Sequence, residues 1–289
     1  MVDTKVMDLP DGRELAWLEL GKPKGPAVLA FHGTPGSRLQ VAFLEDVIVK
    51  SGVRFIALDR PGYGHSTFHK GRQLVDWPRD VAALADHLKL PEFSVIGISG
   101  GGPHAAVCAR FLGDRLHAAG IVSGAGRFGD RDAEGGDWVG ITKTLARLAG
   151  RSRYLVYPLM AVQDVVTRRW PERALKAALG QMPAADVTIM QRPEVIAAFM
   201  EDSRRASSTS AMAAAQDFEL FSRDWGFRLE DIAMPVHIWH GDADRNVPFS
   251  HGVDQAARIA GSTFHQCPGE GHLLVVDRLG EILTAVTTG

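Results

Sequence analysis

Short apolar runs alternate with longer segments of helical spacing over the first 122 residues. An unbroken apolar run is typical of a strand buried on both faces, whereas apolar residues three and four positions apart form one face of a helix. After an initial hairpin, the pattern predicts strands and helices in turn, which favours a mostly parallel sheet with right-handed crossovers. The predicted strands are 4–9, 13–20, 27–31, 54–58, 93–98 and 116–122, and the predicted helices are 38–50, 74–90 and 103–112.

The alternation stops near residue 126, and only helical patterns follow as far as about residue 231. A block of this length without strands, between two strands of one sheet, predicts a helical insertion over one end of the sheet. We call this insertion the cap, and we expect a sheet domain of residues 1–125 and 232–289 and a cap domain of residues 126–231. The cap helices are predicted at 138–148, 154–170, 172–182, 194–205 and 211–221, and the sheet domain resumes with strands 236–240 and 262–266 and helices 251–260 and 273–286.

Composition and charge narrow the classes of partner. A chain of 289 residues is long enough for a full α/β core. Its formal charge of -2 gives no reason to expect a nucleic acid or an anionic membrane as partner. The first residues lack the apolar core of a signal peptide, and no window is apolar enough to span a membrane, so we expect a cytoplasmic protein that acts on a small molecule. We expect Cys108 and Cys267 to be reduced, buried thiols, because they lie far apart on separate predicted elements.

Ser99 lies in a glycine-rich turn between the predicted strand 93–98 and the predicted helix 103–112. The sequence Gly97-x-Ser99-x-Gly101 suits a sharp, strained turn that lifts the serine hydroxyl above the sheet, because the two glycines remove side chains that would collide. A nucleophilic serine is therefore predicted. The alternative is a turn that binds phosphate at the start of a helix, but the Gly-Lys-Ser/Thr and Gly-x-Gly-x-x-Gly patterns are both missing from the sequence.

Two further polar residues, Asp244 and His272, also come just after predicted strands. The carboxyl ends of the strands in an open parallel sheet face one common crevice. We therefore expect Ser99, Asp244 and His272 to lie close together, although they are far apart in the chain.

Five short motifs carry a resemblance to the α/β-hydrolase fold superfamily, in which the serine, the acid and the histidine follow one another in this order. The chain resembles the capped serine hydrolases of the esterase and proline iminopeptidase-like branch, and the resemblance covers nearly all of the sequence outside the cap. It implies a mostly parallel eight-stranded sheet flanked by helices, with a helical cap inserted after strand 6. The motifs are His32-Gly33-Thr34-Pro35-Gly36, Asp59-Arg60-Pro61-Gly62-Tyr63-Gly64-His65-Ser66, Gly97-Ile98-Ser99-Gly100-Gly101, His240-Gly241-Asp242-Ala243-Asp244-Arg245-Asn246-Val247-Pro248 and Gly269-Glu270-Gly271-His272.

The resemblance implies a role for each member of the triad. Ser99 would be the nucleophile, and His272 would be the general base that takes the hydroxyl proton. Asp244 would hold the imidazole in the right tautomer and stabilise its cation. Asp242, two residues earlier, is the competing acid. We favour Asp244 because the family's acid precedes the Val-Pro pair by this interval, and we assign Asp242 to a turn.

An oxyanion hole needs donors that are aimed in advance at the tetrahedral intermediate, and main-chain N–H groups supply them without reorganisation. Gly100, which follows the nucleophile, would give one donor, and the resemblance implies that Thr34 gives the other. Pro35 has no N–H to donate. His32 is expected to brace this loop rather than to take part in catalysis.

Histidines and aspartates also cluster at His237, His240, Asp242 and Asp244, which could suggest a metal site. His237 and His240 are an odd number of residues apart on a strand and point to opposite faces, so no paired ligand is implied. We expect no metal and no cofactor. The histidines without a predicted role, which we expect to be packed or solvated, are His65, His69 and His104.

A serine with a base and an oxyanion hole performs acyl transfer through an acyl-enzyme, with water as the usual acceptor. A serine at this position argues against the dehalogenases and epoxide hydrolases of the fold, which use an aspartate there. We therefore predict a hydrolase of small or medium carboxylic esters, with a largely apolar acyl pocket under the cap. Residues 154–162, the most apolar part of the cap, either pack in its interior or line that pocket.

Three other functions remain open from the sequence. A proline iminopeptidase-like aminopeptidase is suggested by residues 32–36, although threonine replaces the middle glycine of that family's His-Gly-Gly-Pro-Gly. This activity needs carboxylates in the cap to hold the substrate's amine. The candidates, which could equally form a solvated helix face, are Glu201, Asp202, Asp217 and Glu219. The other two functions are hydrolysis of a carbon-carbon bond and ligand binding with little or no turnover.

Overall fold

An eight-stranded sheet forms the centre of the computed structural model, which describes residues 3–128 and 140–288. The strands are β1 (Lys5–Asp8), β2 (Glu14–Gly21), β3 (Ala27–Phe31), β4 (Arg54–Leu58), β5 (Phe93–Ile98), β6 (Leu116–Val122), β7 (Val236–Gly241) and β8 (Thr263–Cys267). Their order is β1-β2-β4-β3-β5-β6-β7-β8. The pairs β1–β2 and β2–β4 are antiparallel, and the other pairs are parallel. The predicted eight-stranded, mostly parallel sheet is therefore confirmed.

Helices cover both faces of this sheet. The α-helices are α1 (Glu45–Ser51), α2 (Trp77–His87), α3 (Gly102–Phe111), α4 (Gly140–Arg151), α5 (Arg153–Arg169), α6 (Pro171–Leu179), α7 (Ala184–Met190), α8 (Pro193–Phe221), α9 (Phe249–Arg258) and α10 (Val275–Ala285). Val28 and Phe55 pack in one cluster with residues of α1 and α10. Their neighbours Leu29 and Ile56 pack in a second cluster with residues of α2 and α3. Successive residues of β3 and β4 thus face opposite helical layers, which is why residues 27–31 and 55–58 are apolar throughout.

The cap consists of α4 to α8, which lie between β6 and β7 along the chain, so the helical insertion follows strand 6 as predicted. The two helices predicted at 194–205 and 211–221 are a single helix, α8. The serine-rich stretch between them has only a modest helix propensity, but no glycine or proline interrupts it, so the helix continues. The sequence did not predict α7. The first two residues of the helix predicted at 138–148 lie outside the described residues.

The most apolar part of the cap, residues 154–162, divides between two environments. Val156 and Met160 are buried in a cluster that α4, α5 and α8 share. Tyr154, Leu155 and Val162 are exposed. Packing in the cap interior therefore explains one face of α5 and not the other.

The helix predicted at 38–50 begins later than the pattern indicates. A 3-10 turn at Ala42–Leu44 comes first, and α1 begins at Glu45. The main-chain N–H of Arg38 donates to the buried carboxylate of Asp59 at 2.7 Å, and its guanidinium donates to the same carboxylate. These bonds hold residue 38 in the loop that crosses the end of β3, so it is not available to a helix.

Both cysteines are buried and unpaired, which confirms the predicted free thiols. Cys108 lies in α3 and Cys267 ends β8. Burial raises the pKa of Cys108 well above the usual value and that of Cys267 to about 11, so neither is a ready nucleophile. Among the described residues, no helix combines the length and the apolar content needed to cross a membrane.

Candidate active site

Ser99 follows β5 on a sharp turn that leads into α3. Its φ of 54° lies in the left-handed region, where a side chain is strained. A Cβ atom at Gly97 would lie 2.2 Å from the Gly101 carbonyl oxygen, and one at Gly101 would lie 2.2 Å from the Phe31 carbonyl oxygen. Only glycine permits these approaches, so the turn is built as the sequence indicated, and it leaves the Ser99 side chain partly exposed.

The structure brings together Ser99, Asp244 and His272. The distance from His272 Nε2 to Ser99 Oγ is 3.0 Å, and that from His272 Nδ1 to Asp244 Oδ2 is 2.7 Å. Because an ionised carboxylate only accepts hydrogen bonds, Nδ1 carries the imidazole proton and Nε2 presents its lone pair to the serine hydroxyl. The three side chains therefore form one continuous line of hydrogen bonds that can draw a proton from Ser99.

The surroundings of Asp244 and His272 favour charge separation between them. Burial alone would raise the pKa of Asp244, but the charge of His272 and hydrogen bonds from His240 and His272 hold it well below its usual value. The main-chain N–H groups of Asn246 and Val247 also donate to Asp244 Oδ1, at 2.8 and 3.0 Å. Burial alone would lower the pKa of His272, but the Asp244 charge and hydrogen bond raise it. Asp244 thus stays ionised and makes the imidazole a stronger base.

The other polar residues of this region are not members of the line of hydrogen bonds from Ser99 to Asp244. Asp242 is exposed and accepts a main-chain N–H at 2.7 Å, which fits its assignment to a turn. His240 is buried, with Nε2 3.4 Å from Asp244 Oδ2, whereas His237 lies 3.2 Å from His265. Within residues 3–128 and 140–288, no group of three or more His, Cys, Asp and Glu side chains is suited to hold a metal ion.

Thr34 and Gly100, the predicted oxyanion donors, lie side by side next to the serine. A Cβ atom at Gly100 would lie 2.3 Å from Thr34 Oγ1 and 3.1 Å from Thr34 N, so no larger residue fits. A Cβ atom at Gly33 would lie 3.3 Å from Ser99 Cβ. In the described part of the chain, no acceptor is bonded to the main-chain N–H of Thr34. This N–H is therefore free to receive an anionic oxygen.

His32 is buried inside the loop that carries Thr34. Its Nδ1 lies 2.8 Å from the Gly33 carbonyl oxygen, and its Nε2 accepts the main-chain N–H of Arg60 at 3.0 Å. Both ring nitrogens are thus used within the main chain, which fits the expected bracing role. Of the histidines without a predicted role, His104 is buried and hydrogen-bonded, whereas His65 is exposed.

A family model of the alpha/beta hydrolase fold matches residues 26–279, which is most of the chain. The chain belongs to this family. Its relatives and structural neighbours include esterases and other hydrolases, and the chain is an α/β-hydrolase enzyme.

Individual comparisons extend over nearly the full length of this hydrolase. An uncharacterized hydrolase of Bacillus subtilis is 24% identical over 272 residues, which cover 91% of this chain and 90% of the relative. A bifunctional esterase/perhydrolase of Acinetobacter calcoaceticus is 25% identical over 273 residues, which cover the same shares of the two chains. A bromoperoxidase from Bacillus anthracis superposes with a TM-score of 0.75 at 22% identity, over 99% of this chain and 100% of that one, which shows a common fold.

In this α/β-hydrolase, Asp186, a buried residue of α7, is hydrogen-bonded to the loop that carries His272. Asp186 accepts the main-chain N–H groups of His272 and Leu273 at 3.0 and 2.8 Å. Its negative charge also contributes to the raised pKa of His272. The sequence did not single out Asp186, because an aspartate in the first turn of a helix after Pro183 is an ordinary partner of the helix dipole. Only the tertiary contact shows that the cap holds the histidine loop.

Three of the four cap carboxylates considered for a substrate amine are buried and already bonded. Asp217 is bonded to two arginines, and Glu219 forms ion pairs with two others. Asp202 accepts the hydroxyl of Ser37 at 2.5 Å. The interpretation of these three residues as a solvated helix face is wrong, because they turn inward from α8 to meet polar partners.

Asp202 gives a testable dependence of stability on pH. Burial raises its pKa from 3.8 to about 7, and the nearby charge of Asp59 adds to the effect, whereas the Ser37 hydrogen bond and Arg38 oppose it. The folded state therefore binds this proton more tightly than the unfolded state. The resulting stabilisation is complete below pH 3.8 and is lost as the pH rises through about 7. Asn at this position keeps an acceptor for Ser37 and carries no charge.

We therefore expect Asp202→Asn to raise the Tm at pH 8.5 by about 2 °C or more relative to the parent, and to raise it less at pH 5. Thermal unfolding followed by circular dichroism across this range measures the difference. Asp86→Asn, at an exposed aspartate, controls for the loss of a charge. A difference in Tm between Asp202→Asn and the parent that does not change with pH would contradict the expectation.

Proposed function

We propose that this hydrolase cleaves small or medium carboxylic esters through an acyl-enzyme formed on Ser99. The observation that carries the proposal is the line of hydrogen bonds from Asp244 through His272 to Ser99. The main-chain nitrogens of Thr34 and Gly100 lie next to the serine end of this line. A hydroxyl with a base on one side and fixed donors on the other is the arrangement that acyl transfer requires.

The first half of the reaction transfers the acyl group to the enzyme. Ser99 Oγ attacks the carbonyl carbon of the ester while its proton passes to His272 Nε2. The carbonyl oxygen becomes an oxyanion, which the N–H groups of Thr34 and Gly100 receive. The carbon-oxygen bond to the alcohol then breaks, His272 returns its proton to the departing oxygen, and the alcohol leaves.

The second half releases the acid. Water takes the place of the alcohol, and His272 removes a proton from it as its oxygen attacks the acyl carbon. The bond to Ser99 Oγ breaks, and the serine recovers its proton from His272. Asp244 stays ionised throughout and stabilises the imidazolium that forms in each half. The scheme uses side chains and main chain alone, with no metal or cofactor.

The rival aminopeptidase finds little support among the cap carboxylates. An amine-binding site needs a carboxylate that is free to face the substrate, but Asp202, Asp217 and Glu219 are all bonded to other side chains. For Asp217 and Glu219, breaking such a pair to bind an amine would leave an arginine without its counter-charge. Ester cleavage needs no such carboxylate, and it is the function that we favour.

We expect a fluorophosphonate to label Ser99 in a one-to-one ratio, and short-chain nitrophenyl esters to be cleaved faster than a proline arylamide. Mass spectrometry of the labelled peptide and initial rates on the two substrates measure these results. A folded protein whose serine does not react would favour a binding protein of the same fold. Faster cleavage of the arylamide would overturn the choice of ester.

A further inference from the structure

Asp217 of α8 is the origin of two series of hydrogen bonds. One reaches the peptide unit of the Thr34 N–H, and the other reaches the carbonyl oxygen of Gly100. Its side chain is fully buried. Oδ2 accepts from Thr34 Oγ1 at 2.8 Å, from Arg60 Nη1 at 2.5 Å and from Tyr63 Oη at 2.7 Å, and Oδ1 accepts from Arg72. Burial alone would raise the pKa of Asp217, but the two arginines hold it well below its usual value, so the group is a carboxylate.

The first series fixes the direction of the Thr34 N–H. The guanidinium of Arg60, which Asp217 orients, donates to the Gly33 carbonyl oxygen at 2.8 Å and to Thr34 Oγ1 at 2.7 Å. The Gly33 carbonyl and the Thr34 N–H belong to the same planar peptide unit, so fixing the carbonyl also fixes the N–H on its opposite side. Arg60 Nε adds a bond to the His32 carbonyl oxygen at 3.0 Å, which holds the preceding peptide unit as well.

The second series reaches Gly100 from the other side of the same carboxylate. Arg72 Nη1 lies 3.3 Å from His104 Nε2. Because a guanidinium only donates, Nε2 accepts, and His104 Nδ1 donates its proton to the Gly100 carbonyl oxygen at 3.0 Å. Burial holds the pKa of His104 well below its usual range, so the ring is neutral, as this pattern of bonds requires. This bond holds the peptide unit between Gly100 and Gly101, which directly follows the unit that carries the Gly100 N–H.

The charge of this cluster also suits an oxyanion. Two guanidiniums, those of Arg60 and Arg72, face the single carboxylate of Asp217, and burial keeps Tyr63 and His104 neutral. One positive charge is left over next to Thr34, which favours negative charge on an oxygen held there.

We propose that Asp217 is a positioning residue for the reaction: from the cap, it aligns the Thr34 N–H through Arg60 and the Thr34 hydroxyl, and it braces the turn at Gly100 through Arg72 and His104. The inference rests on the proposed function. It makes closure of the cap onto the sheet a condition for a competent oxyanion hole, because α8 supplies the carboxylate on which both series depend.

The test compares variants that differ in one hydrogen bond. Thr34→Val removes the hydroxyl that bonds Asp217 and keeps the main-chain donor, whereas Thr34→Ser keeps the hydroxyl. Tyr63→Phe removes a different hydrogen bond to the same Asp217 oxygen and touches neither donor. Asp217→Asn weakens both series at once. Each variant is measured for kcat and KM on a nitrophenyl ester, for inhibition by a trifluoromethyl ketone, which forms an oxyanion on Ser99, and for its melting temperature.

We expect Thr34→Val and Asp217→Asn to lower kcat and the affinity for the trifluoromethyl ketone by about 10- to 100-fold with little change in KM. We expect Thr34→Ser, which keeps the hydroxyl, to retain more of kcat and of the ketone affinity than Thr34→Val, and Tyr63→Phe to stay near the parent. If Asp217→Asn does not fold, the comparison of Thr34→Val with Thr34→Ser decides the question.

Equal kcat and equal ketone affinity in Thr34→Val and Thr34→Ser would overturn the proposal. The same holds for a folded Asp217→Asn that changes only the melting temperature. These outcomes differ from a failure of the proposed function, in which the parent itself would neither cleave the ester nor react with a fluorophosphonate. In that event the positioning role of Asp217 would be rejected as well.

Discussion

Replacing Ser99 by alanine is expected to lower kcat/KM for a nitrophenyl ester by about 10⁴-fold or more. The reason is that the hydroxyl is the only part of the proposed relay that forms a bond to the acyl carbon. Without it, His272 has no nucleophile to deprotonate, and the acyl-enzyme cannot form. Initial rates, together with loss of fluorophosphonate labelling, measure the effect.

Ser123 provides a matched control for this substitution. It follows β6 as Ser99 follows β5, it is buried, and its φ of 46° is also positive. No residue that the structure describes is hydrogen-bonded to its hydroxyl. Ser123→Ala therefore removes a serine hydroxyl from an equally unusual main-chain position, and we expect it to keep the parental rate. If Ser99→Ala and Ser123→Ala had the same activity, the nucleophile would be another residue.

Replacing Asp244 by asparagine is expected to lower kcat by about 10⁴-fold, close to the effect of removing the nucleophile. Asp244 only accepts from His272 Nδ1, which fixes the tautomer in which Nε2 faces Ser99. An amide can donate to Nδ1 instead, so the proton moves to Nε2 and the base is lost. The imidazolium formed during attack also loses its counter-charge.

The same substitution should change the pH profile in a definite direction. Only neutral His272 accepts a proton, so activity falls as the pH drops through its pKa. Asp244 raises that pKa above the ordinary 6.5. In Asp244→Asn, the residual activity should therefore persist to lower pH than in the parent. Profiles of kcat/KM between pH 5 and 9 test this shift.

Asp242→Asn is the control for that series, because Asp242 is exposed and its amide analogue keeps an acceptor for the main-chain N–H that it binds. We expect its rate and its pH profile to match the parent. A large loss in Asp242→Asn with a small one in Asp244→Asn would reverse the assignment of the acid.

Much of the fold could be predicted because each strand has a local cause. Strands 54–58 and 116–122 are mainly apolar and are each followed by a polar residue, and their bounds match the structure residue for residue. Helix ends depend more on contacts from distant parts of the chain. Residue 38 looked helical by spacing, but its bonds to Asp59, which lies 21 positions away, hold it in a loop.

The candidate site divides in the same way. The serine turn, the histidine loop and the aspartate turn each have local glycine patterns, and the order of these motifs along the chain pointed to one edge of the sheet. No local pattern marks Asp186 or Asp217. Each is an ordinary polar residue of an amphipathic helix until the cap is placed on the sheet. Their partners in the sheet domain are up to 183 residues away in the chain, as in the bond between Thr34 and Asp217.

Periodicity is enough to predict the parallel sheet and the cap as an insertion, and the glycines around Ser99 mark a sharp turn that can hold a nucleophile. Asp244 and His272 are candidates because they follow predicted strands, but their proposed roles, like that of Thr34, come from the resemblance to the α/β-hydrolases. The tertiary contacts were needed to show that α8 turns three carboxylates inward, and that Asp217 bonds to Thr34 and is linked to Gly100 through Arg72 and His104. The physical reason is that the preference of a carboxylate for water or for an arginine is set by what surrounds it. That environment exists only after distant segments of the chain have packed together.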